Sequence, residues 1–367
     1  MKELADIVRA FKTASESGLS TALATVVHVS GSTYRRPGAR MLFSTKGRLA
    51  GLINAACLES DLFERAKKVI AGGKPELINY DTTSADDIIF GLGLGCNGTV
   101  EILLEPGQQR LADKMAILER SLSGSGPIIL ATIVGGDANQ IGAFLASDGS
   151  KRIANTGADS MLAAALEKTC VLTDGAAFAE KEIPYEGGSV RVFIETLFPP
   201  LPLVIFGAGP DALPLVDAAK FLGWHVSVVD SRPAYATKAH VANADAVILA
   251  EPERVRECVN LSRRHVAVIM THNFDKDKKL LQILLESPCQ YVGLLGPTSK
   301  FQTLVENLER EGFTLNKEQR GRLHAPIGLD IGAETPEEIA FSIISEIKAV
   351  LEHRAGGFLR DRTGPIH

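Results

Sequence analysis

Cysteine is scarce in this 367-residue chain and follows no pattern. The five residues, Cys57, Cys96, Cys170, Cys258 and Cys289, are an odd number with no C-x-x-C pair. That spacing argues against a disulfide framework, a zinc ribbon and a cysteine-ligated iron–sulfur cluster held by the chain itself. Uninterrupted apolar runs of about 18 residues are also missing, so no segment is expected to span a membrane. The stretch MKELADIVRAFKTASESG places Leu4, Ile7, Val8 and Phe11 on one helical face. It has neither a continuous apolar core nor a small-residue cleavage site, and is expected to be an amphipathic helix rather than a secretion signal. Basic tracts are absent too: the net charge is −5 and no Lys/Arg-rich arm or stripe occurs. Nucleic acid is therefore not the expected main partner, and the expected compartment is the cytoplasm.

What is present is an ordinary globular composition, 45% hydrophobic and 23% charged, with length for roughly two or three domains. A break falls at LFPPLP, residues 197–202, where three prolines favour an extended linker. Beyond it, short apolar runs alternate with amphipathic helices: LVIFGAG, DALPLVDAAKFLG, HVSVVD, ADAVILA, EPERVRECVNL, HVAVIMT, KDKKLLQILLES, YVGLLG and SKFQTLVENLEREG. This pattern predicts a doubly wound parallel sheet over residues 199–367. Thr335, Pro336 and Glu338 supply the cap, first-turn proline and capping box of a last long helix. Residues 1–198 predict a mixed α+β domain, with lobes at 1–107 and 127–198. No internal repeat or low-complexity tract is evident.

The clearest motif is LVIFGAGPDALP, with Gly207 and Gly209 between strand and helix and Asp230 ending the next strand, 21 residues after Gly209. This is a dinucleotide-binding, Rossmann-like fingerprint: small residues for the turn, a helix start for phosphate and an acid for ribose hydroxyls. Pro210 removes an N–H where phosphate would bind, so the alternative is a domain that keeps the fold and binds nucleotide poorly. Arg232 is placed to reach a phosphate or to lie in solvent. Two further loops leave strand ends: MTHNFDKD, with His272, Asn273 and Asp277, and LLGPTSK, with Gly296, Ser299 and Lys300. His272 is a candidate acid/base or ligand contact, or a strand-end cap. His324 is a weaker candidate of the same kind.

In the first domain, LINAACLESDLFERA puts Cys57 at or just before a helix N-terminus, where a thiol loses its proton more readily. GLGLGCNGTVE places Cys96 on a glycine-rich turn, 39 residues further on. The other three cysteines are expected to be structural. GSTYRRPGARML crowds Arg35, Arg36 and Arg40 around one turn, a pattern suited to phosphate or carboxylate, or to a solvated hairpin tip.

Taken together, these residues resemble the XdhC/CoxI family, accessory proteins of molybdenum hydroxylases such as xanthine dehydrogenase. The stretches ALATVVHVSGSTYRRPGARML, CLES, GLGLGCNGTVEILLEP, VVDSRPAYA, MTH, YVGLLG and HAPIGLDIGAETPEEIAFSIISEI carry the likeness over most of the chain. The resemblance implies a protein that binds the molybdenum cofactor (molybdopterin), supports addition of its terminal sulfur and delivers it to an apo-enzyme. A cysteine desulfurase is the implied sulfur donor, and a homodimer the implied assembly. Cys57, Glu59 and Cys96 match the family's two cysteine loops; with His272 they are the catalytic candidates, and Cys57 and Cys96 alone the implied molybdenum contacts. Arg35, Arg36 and Arg40 would hold the pterin phosphate, and Gly207, Gly209, Asp230, Arg232, Gly296 and Lys300 a nucleotide such as NAD(P). Ala55, Ala56 and Asn97 stand where the family has glycine; Pro210, Asp211 and the GPTS stretch also depart from its pattern. The alternatives are a self-sufficient NAD(P)-dependent oxidoreductase using Cys57 or His272, and a nucleotide-sensing module without chemistry.

Overall fold

The computed structural model describes residues 1–31, 35–53, 58–81, 98–124, 126–169, 177–186 and 188–363; Cys57, Cys96 and Cys170 lie outside them. Contacts divide the chain into two compact units, Met1–Pro199 and a second that begins at Pro200.

The first unit runs through helix Lys2–Glu16, β1 (Thr21–Gly31), β2 (Arg40–Ser44), β3 (Gly47–Gly51), helix Glu59–Gly72, β4 (Glu76–Asp81) and β5 (Gly98–Pro106). It continues through helix Gln109–Ser123, β6 (Ile128–Gly135), β7 (Phe144–Ser147), β8 (Arg152–Thr156), helix Ser160–Thr169, β9 (Phe178–Tyr185) and β10 (Gly188–Leu197). The two antiparallel sheets have orders β3-β2-β1-β5-β4 and β8-β7-β6-β10-β9. These are the same order with every strand advanced by five, and the helices recur at the same places. Contrary to the sequence expectation, the unit is therefore an internal duplication. Its halves share element order and register but only short residue matches: Leu4, Ala5 and Asp6 recur as Leu111, Ala112 and Asp113, and Leu23, Ala24 and Thr25 as Leu130, Ala131 and Thr132, too brief to mark a repeat without the fold.

Side-chain alternation decides what each sheet buries. Ala22, Ala24 and Val26 of β1 pack beneath Leu62, Ala66 and Val69 of the second helix. Ile129, Ala131 and Ile133 of β6 do the same beneath Leu162, Ala163 and Leu166. The intervening residues Leu23 and Leu130 join one central cluster with Ile7, Phe11, Met115 and Leu118 from the two leading helices. No element is expected from sequence at 108–126, yet Leu111, Met115 and Leu118 recur there at helical spacing and are all buried.

The central layer also holds charge. Glu105 stands opposite Leu23 in the β1–β5 ladder, and Glu195 opposite Leu130 in the β6–β10 ladder, so they are equivalent positions. Each is neutralised from the other half: Glu105 by Lys114 at 2.5 Å and Glu195 by Arg40, all four buried. Arg40 faces Thr25 in its ladder, whereas the matching residue facing Thr132 is Phe144, with Lys114 lying 5.4 Å from its ring centre.

The second unit is a parallel sheet of β11 (Pro202–Phe206), β12 (His225–Asp230), β13 (Ala246–Leu249), β14 (Val266–Ile269), β15 (Tyr291–Leu294) and β16 (Leu323–His324). Its order is β13-β12-β11-β14-β15-β16. Alternate residues feed opposite faces. Leu203 and Ile205 pack with Leu215, Ala219, Ile343 and Ile347, while Val204 and Phe206 pack with Leu281, Leu284, Leu304 and Leu308. This is the doubly wound α/β architecture expected. The closing helix, Pro336–Leu351, carries the anticipated capping box between Thr335 and Glu338.

The stretch EPERVRECVNL differs from expectation. It forms a 3-10 turn, Pro252–Arg254, and one α turn, Val255–Cys258. Pro252, Val255 and Val259 are its buried apolar anchors, too few to hold a longer helix against the sheet. Cys258 is consequently exposed rather than packed, whereas Cys289 is buried and burial pushes its thiol pKa up. Among the described residues, no helix is long and apolar enough to cross a membrane.

Candidate functional site

In the second unit, β11 and β14 are neighbours that lead to opposite faces of the sheet, and ligands of such sheets bind at their carboxyl ends. A cavity of about 280 Å³ lies there, lined by Gly207, Asp230, Arg232, Ala250, His272 and Lys276 among others. Gly207 turns β11 out of the sheet with φ 111°. A β-carbon on it would meet the Met270 carbonyl oxygen at 2.4 Å, so glycine is required for this close passage.

Asp230 ends β12 inside the fold, only 6% exposed. Its Oδ2 accepts from Ala208 N–H at 2.7 Å and Arg232 Nη2 at 2.7 Å; its Oδ1 accepts from the Arg232 amide at 2.8 Å and Nε at 2.9 Å. Burial alone would raise its pKa, but the Arg232 side chain and the two amides outweigh burial and hold the carboxyl below the usual carboxylate range. Arg232 in turn lies 3.9 Å from the Tyr235 ring centre. A carboxylate has about four acceptor sites, so ribose hydroxyls would have to displace Arg232. Asp230 is thus an internal anchor that positions Arg232, rather than an open ribose acceptor.

Because the folded pKa of Asp230 is the lower one, the native state binds this proton less tightly than the unfolded chain. The contribution is present above about pH 4 and is lost as pH falls through the folded value. Asp230→Asn is expected to lose about 1–3 kcal/mol near neutral pH. Urea unfolding should show that deficit shrinking as the acid limb is descended; a constant deficit would contradict this account.

Lys300 is also engaged inside the fold. Its Nζ lies 2.5 Å from Asp277 Oδ2 and donates to the Leu295 carbonyl at 3.1 Å. Asp277 is fully buried and accepts from Thr271 Oγ1 at 2.5 Å. The lysine stem covers Gly296, whose β-carbon would fall 2.8 Å from Lys300 Cδ. Lys300 therefore ties the β14 and β15 loops together and does not present its charge to the cavity, contrary to its expected cofactor role. Asn273 caps helix Phe274–Glu286 by accepting from Lys276 N–H at 3.0 Å. His324 stacks on Tyr291 at 4.3 Å and meets Glu346 at 3.1 Å, a junction between the sheet and the last helix.

His272 does reach the cavity. It adopts φ 58°, a left-handed conformation uncommon for a side-chain-bearing residue. Its Nε2 lies 2.7 Å from Asp211 Oδ2. The other Asp211 oxygen is buried and has no hydrogen-bond partner among the described residues. Three participants were not anticipated from sequence: Asp211, which departs from the family pattern; Ser231, which accepts from Lys276; and Lys276 itself, also 3.0 Å from Glu251. Lys276 follows Asn273 by three residues within the flagged loop, the one signal that pointed to it.

In the first unit, the three arginines do not converge. Arg40 is buried on Glu195 and donates to the Gly38 carbonyl at 2.9 Å. Arg35 holds Glu3 at 2.6 Å, and Arg36 is exposed. A cleft of about 360 Å³ borders them, with Glu3, Phe178 and Glu195. The duplication gives it a counterpart of about 430 Å³, with Lys74, Glu105, Gln108 and Arg110. Glu59 opens the second helix and accepts from Arg48 Nη1 at 3.0 Å. Cys57 and Cys96 fall outside the described residues.

Comparison with known proteins places this architecture. Residues 203–347 match the XdhC Rossmann domain, and residues 14–81 match the XdhC and CoxI family. A Bacillus subtilis (strain 168) protein named as a probable xanthine dehydrogenase subunit is 33% identical over 328 residues, covering 89% of this chain and 91% of that protein. The uncharacterized protein YqeB of Escherichia coli (strain K12) is 31% identical over 188 residues, 49% of this chain and 32% of its own. A crystal structure described as a xanthine dehydrogenase from Bacillus halodurans is similar with a TM-score of 0.77 and 30% identity, covering 95% of this chain and 96% of that one. With both family regions matched in order and a relative shared over nine-tenths of either length, this chain belongs to the XdhC and CoxI family.

Proposed function

We propose that the chain binds the molybdenum cofactor as cargo, supports its sulfuration and inserts it into the apo-form of a xanthine-dehydrogenase-type molybdenum hydroxylase. The observation that carries this reading is the likeness, over 89% of the chain, to a protein named as part of a xanthine dehydrogenase. Cys57 and Cys96 are the thiols assigned to metal contact or sulfur relay, with a cysteine desulfurase as donor. Cys57 precedes Glu59, the first residue of helix Glu59–Gly72, by two positions in the sequence. Arg36, with Arg35 beside it, takes the cofactor phosphate at the cleft; Arg40 is already committed to Glu195. His272 and Arg232 serve the nucleotide part, and the working assembly is a cytoplasmic homodimer.

Fit to NAD(P) divides in two. The cavity beside Asp230, Arg232 and Ala250 has room for a nucleoside, but Asp211 occupies the glycine loop where a pyrophosphate would lie. That geometry weighs against the dinucleotide oxidoreductase alternative. The test is anaerobic equilibrium titration of molybdenum cofactor into wild type, Cys57→Ser, Cys96→Ser and Arg36→Ala. Either cysteine variant is expected to weaken binding by about tenfold or more, about 1.4 kcal/mol, and Arg36→Ala by a smaller factor. Absence of binding to wild type would overturn the reading; unchanged binding in both cysteine variants would remove direct ligation by thiolate.

A further inference from the structure

In a glycine loop of this kind the second glycine is bare so that a pyrophosphate can approach the backbone. Here that space is already filled from within. A β-carbon on Gly209 would lie 2.6 Å from Asp211 Oδ1, so the carboxylate rests directly over the glycine. His272 holds it there through the 2.7 Å contact to Oδ2. Oδ1 itself is buried and finds no donor among the described residues, so the loop amides are not turned toward it. The loop is also poor in donors: Pro210 has no N–H, and the Ala208 N–H is donated to Asp230 at 2.7 Å. On the β12 side, by contrast, Arg232 and Lys276 line the cavity with the apolar Ala250 and Val255.

We infer that Asp211 is a specificity-determining residue, a built-in anion standing where a diphosphate would lie. The cleft then takes a nucleoside, or a nucleotide whose phosphate turns toward Arg232 and Lys276, and rejects a diphosphate laid across Gly209. Repulsion of like charge in a partly buried site is the discriminating element. The inference rests on reading this cleft as a nucleotide site.

The experiment is equilibrium titration of the full chain with matched pairs, adenosine against ADP and cytidine against CDP. The variants are Asp211→Asn, which keeps shape and removes charge, and Asp211→Ser, which also opens space. In both variants the diphosphate of the bound nucleoside should tighten by about tenfold or more, while the nucleoside itself moves by less than about twofold. Should Asp211→Ser fail to fold, the near-isosteric Asn variant decides alone. Diphosphate affinity unchanged by the substitutions would overturn the inference. So would equal tightening of nucleoside and diphosphate, which would report a loosened loop instead of a removed charge. If neither nucleosides nor diphosphates bind any of the three proteins, the nucleotide reading falls and this inference with it.

Discussion

Glu195→Ala is expected to destabilise the chain by about 3–5 kcal/mol, because it strands a buried arginine. Arg40 sits between the two sheets of the first unit, 5% exposed, with its Nε already lacking a hydrogen-bond partner among the described residues. Among the described residues, removing Glu195 leaves Arg40 only the Gly38 carbonyl, 2.9 Å from Nη1, as a hydrogen-bond acceptor. Burying an unpaired guanidinium costs more than any contact the alanine could add. The control is the double replacement Arg40→Met with Glu195→Leu, which removes both charges at similar volume. It should recover most of the loss, since buried ion pairs exchanged for packed apolar groups are often near neutral. Denaturant unfolding followed by circular dichroism measures both. A loss below about 1 kcal/mol for Glu195→Ala would mean that water reaches Arg40 and that the pair belongs to the cleft rather than the core.

Gly207→Ala is expected to cost about 3 kcal/mol or more and to disrupt the cavity in the second unit. Two penalties coincide at this residue. Its φ of 111° is strained for any side-chain-bearing residue, and the new β-carbon would sit 2.4 Å and 2.8 Å from the Met270 carbonyl oxygen and carbon. Those atoms are backbone at the end of β14 and cannot turn aside like a side-chain tip, so the β11 and β14 loops must separate. Gly312→Ala separates the penalties: its φ is 87° but, among the described residues, nothing lies within 4 Å of an added β-carbon. It should cost only about 1–2 kcal/mol. Thermal unfolding of the two variants beside wild type checks this, and equal losses would refute the steric part of the account.

Most of the second unit was legible in the sequence because its elements are locally determined. Strands buried on both faces read as continuous apolar runs, and capping groups such as Thr335 and Glu338 act within one turn. The exceptions are instructive. The turn at Val255–Cys258 has helical composition but too little apolar surface to hold more than one turn on the sheet. Strand β16 is two residues long and exists only because β15 lies beside it.

Residue type at short spacing was enough to specify the parallel sheet, the glycine turn at Gly207 and the family likeness. The duplication in the first unit emerged from the folded chain, because its residue matches are three-residue runs, such as Leu23 to Thr25 and Leu130 to Thr132, that gain meaning only once strand order and register align them. Folding also settled the fate of the charges. Arg40, Asp230 and Lys300 stand in motifs that suit ligand groups, but each meets a partner inside its own unit: Glu195 for Arg40, Arg232 for Asp230 and Asp277 for Lys300. Arg40 and Glu195 are separated by 155 positions. A side chain's spacing fixes which loop carries it, whereas its availability to a ligand depends on what the folded chain brings opposite, and opposite charges drawn from distant segments satisfy one another first.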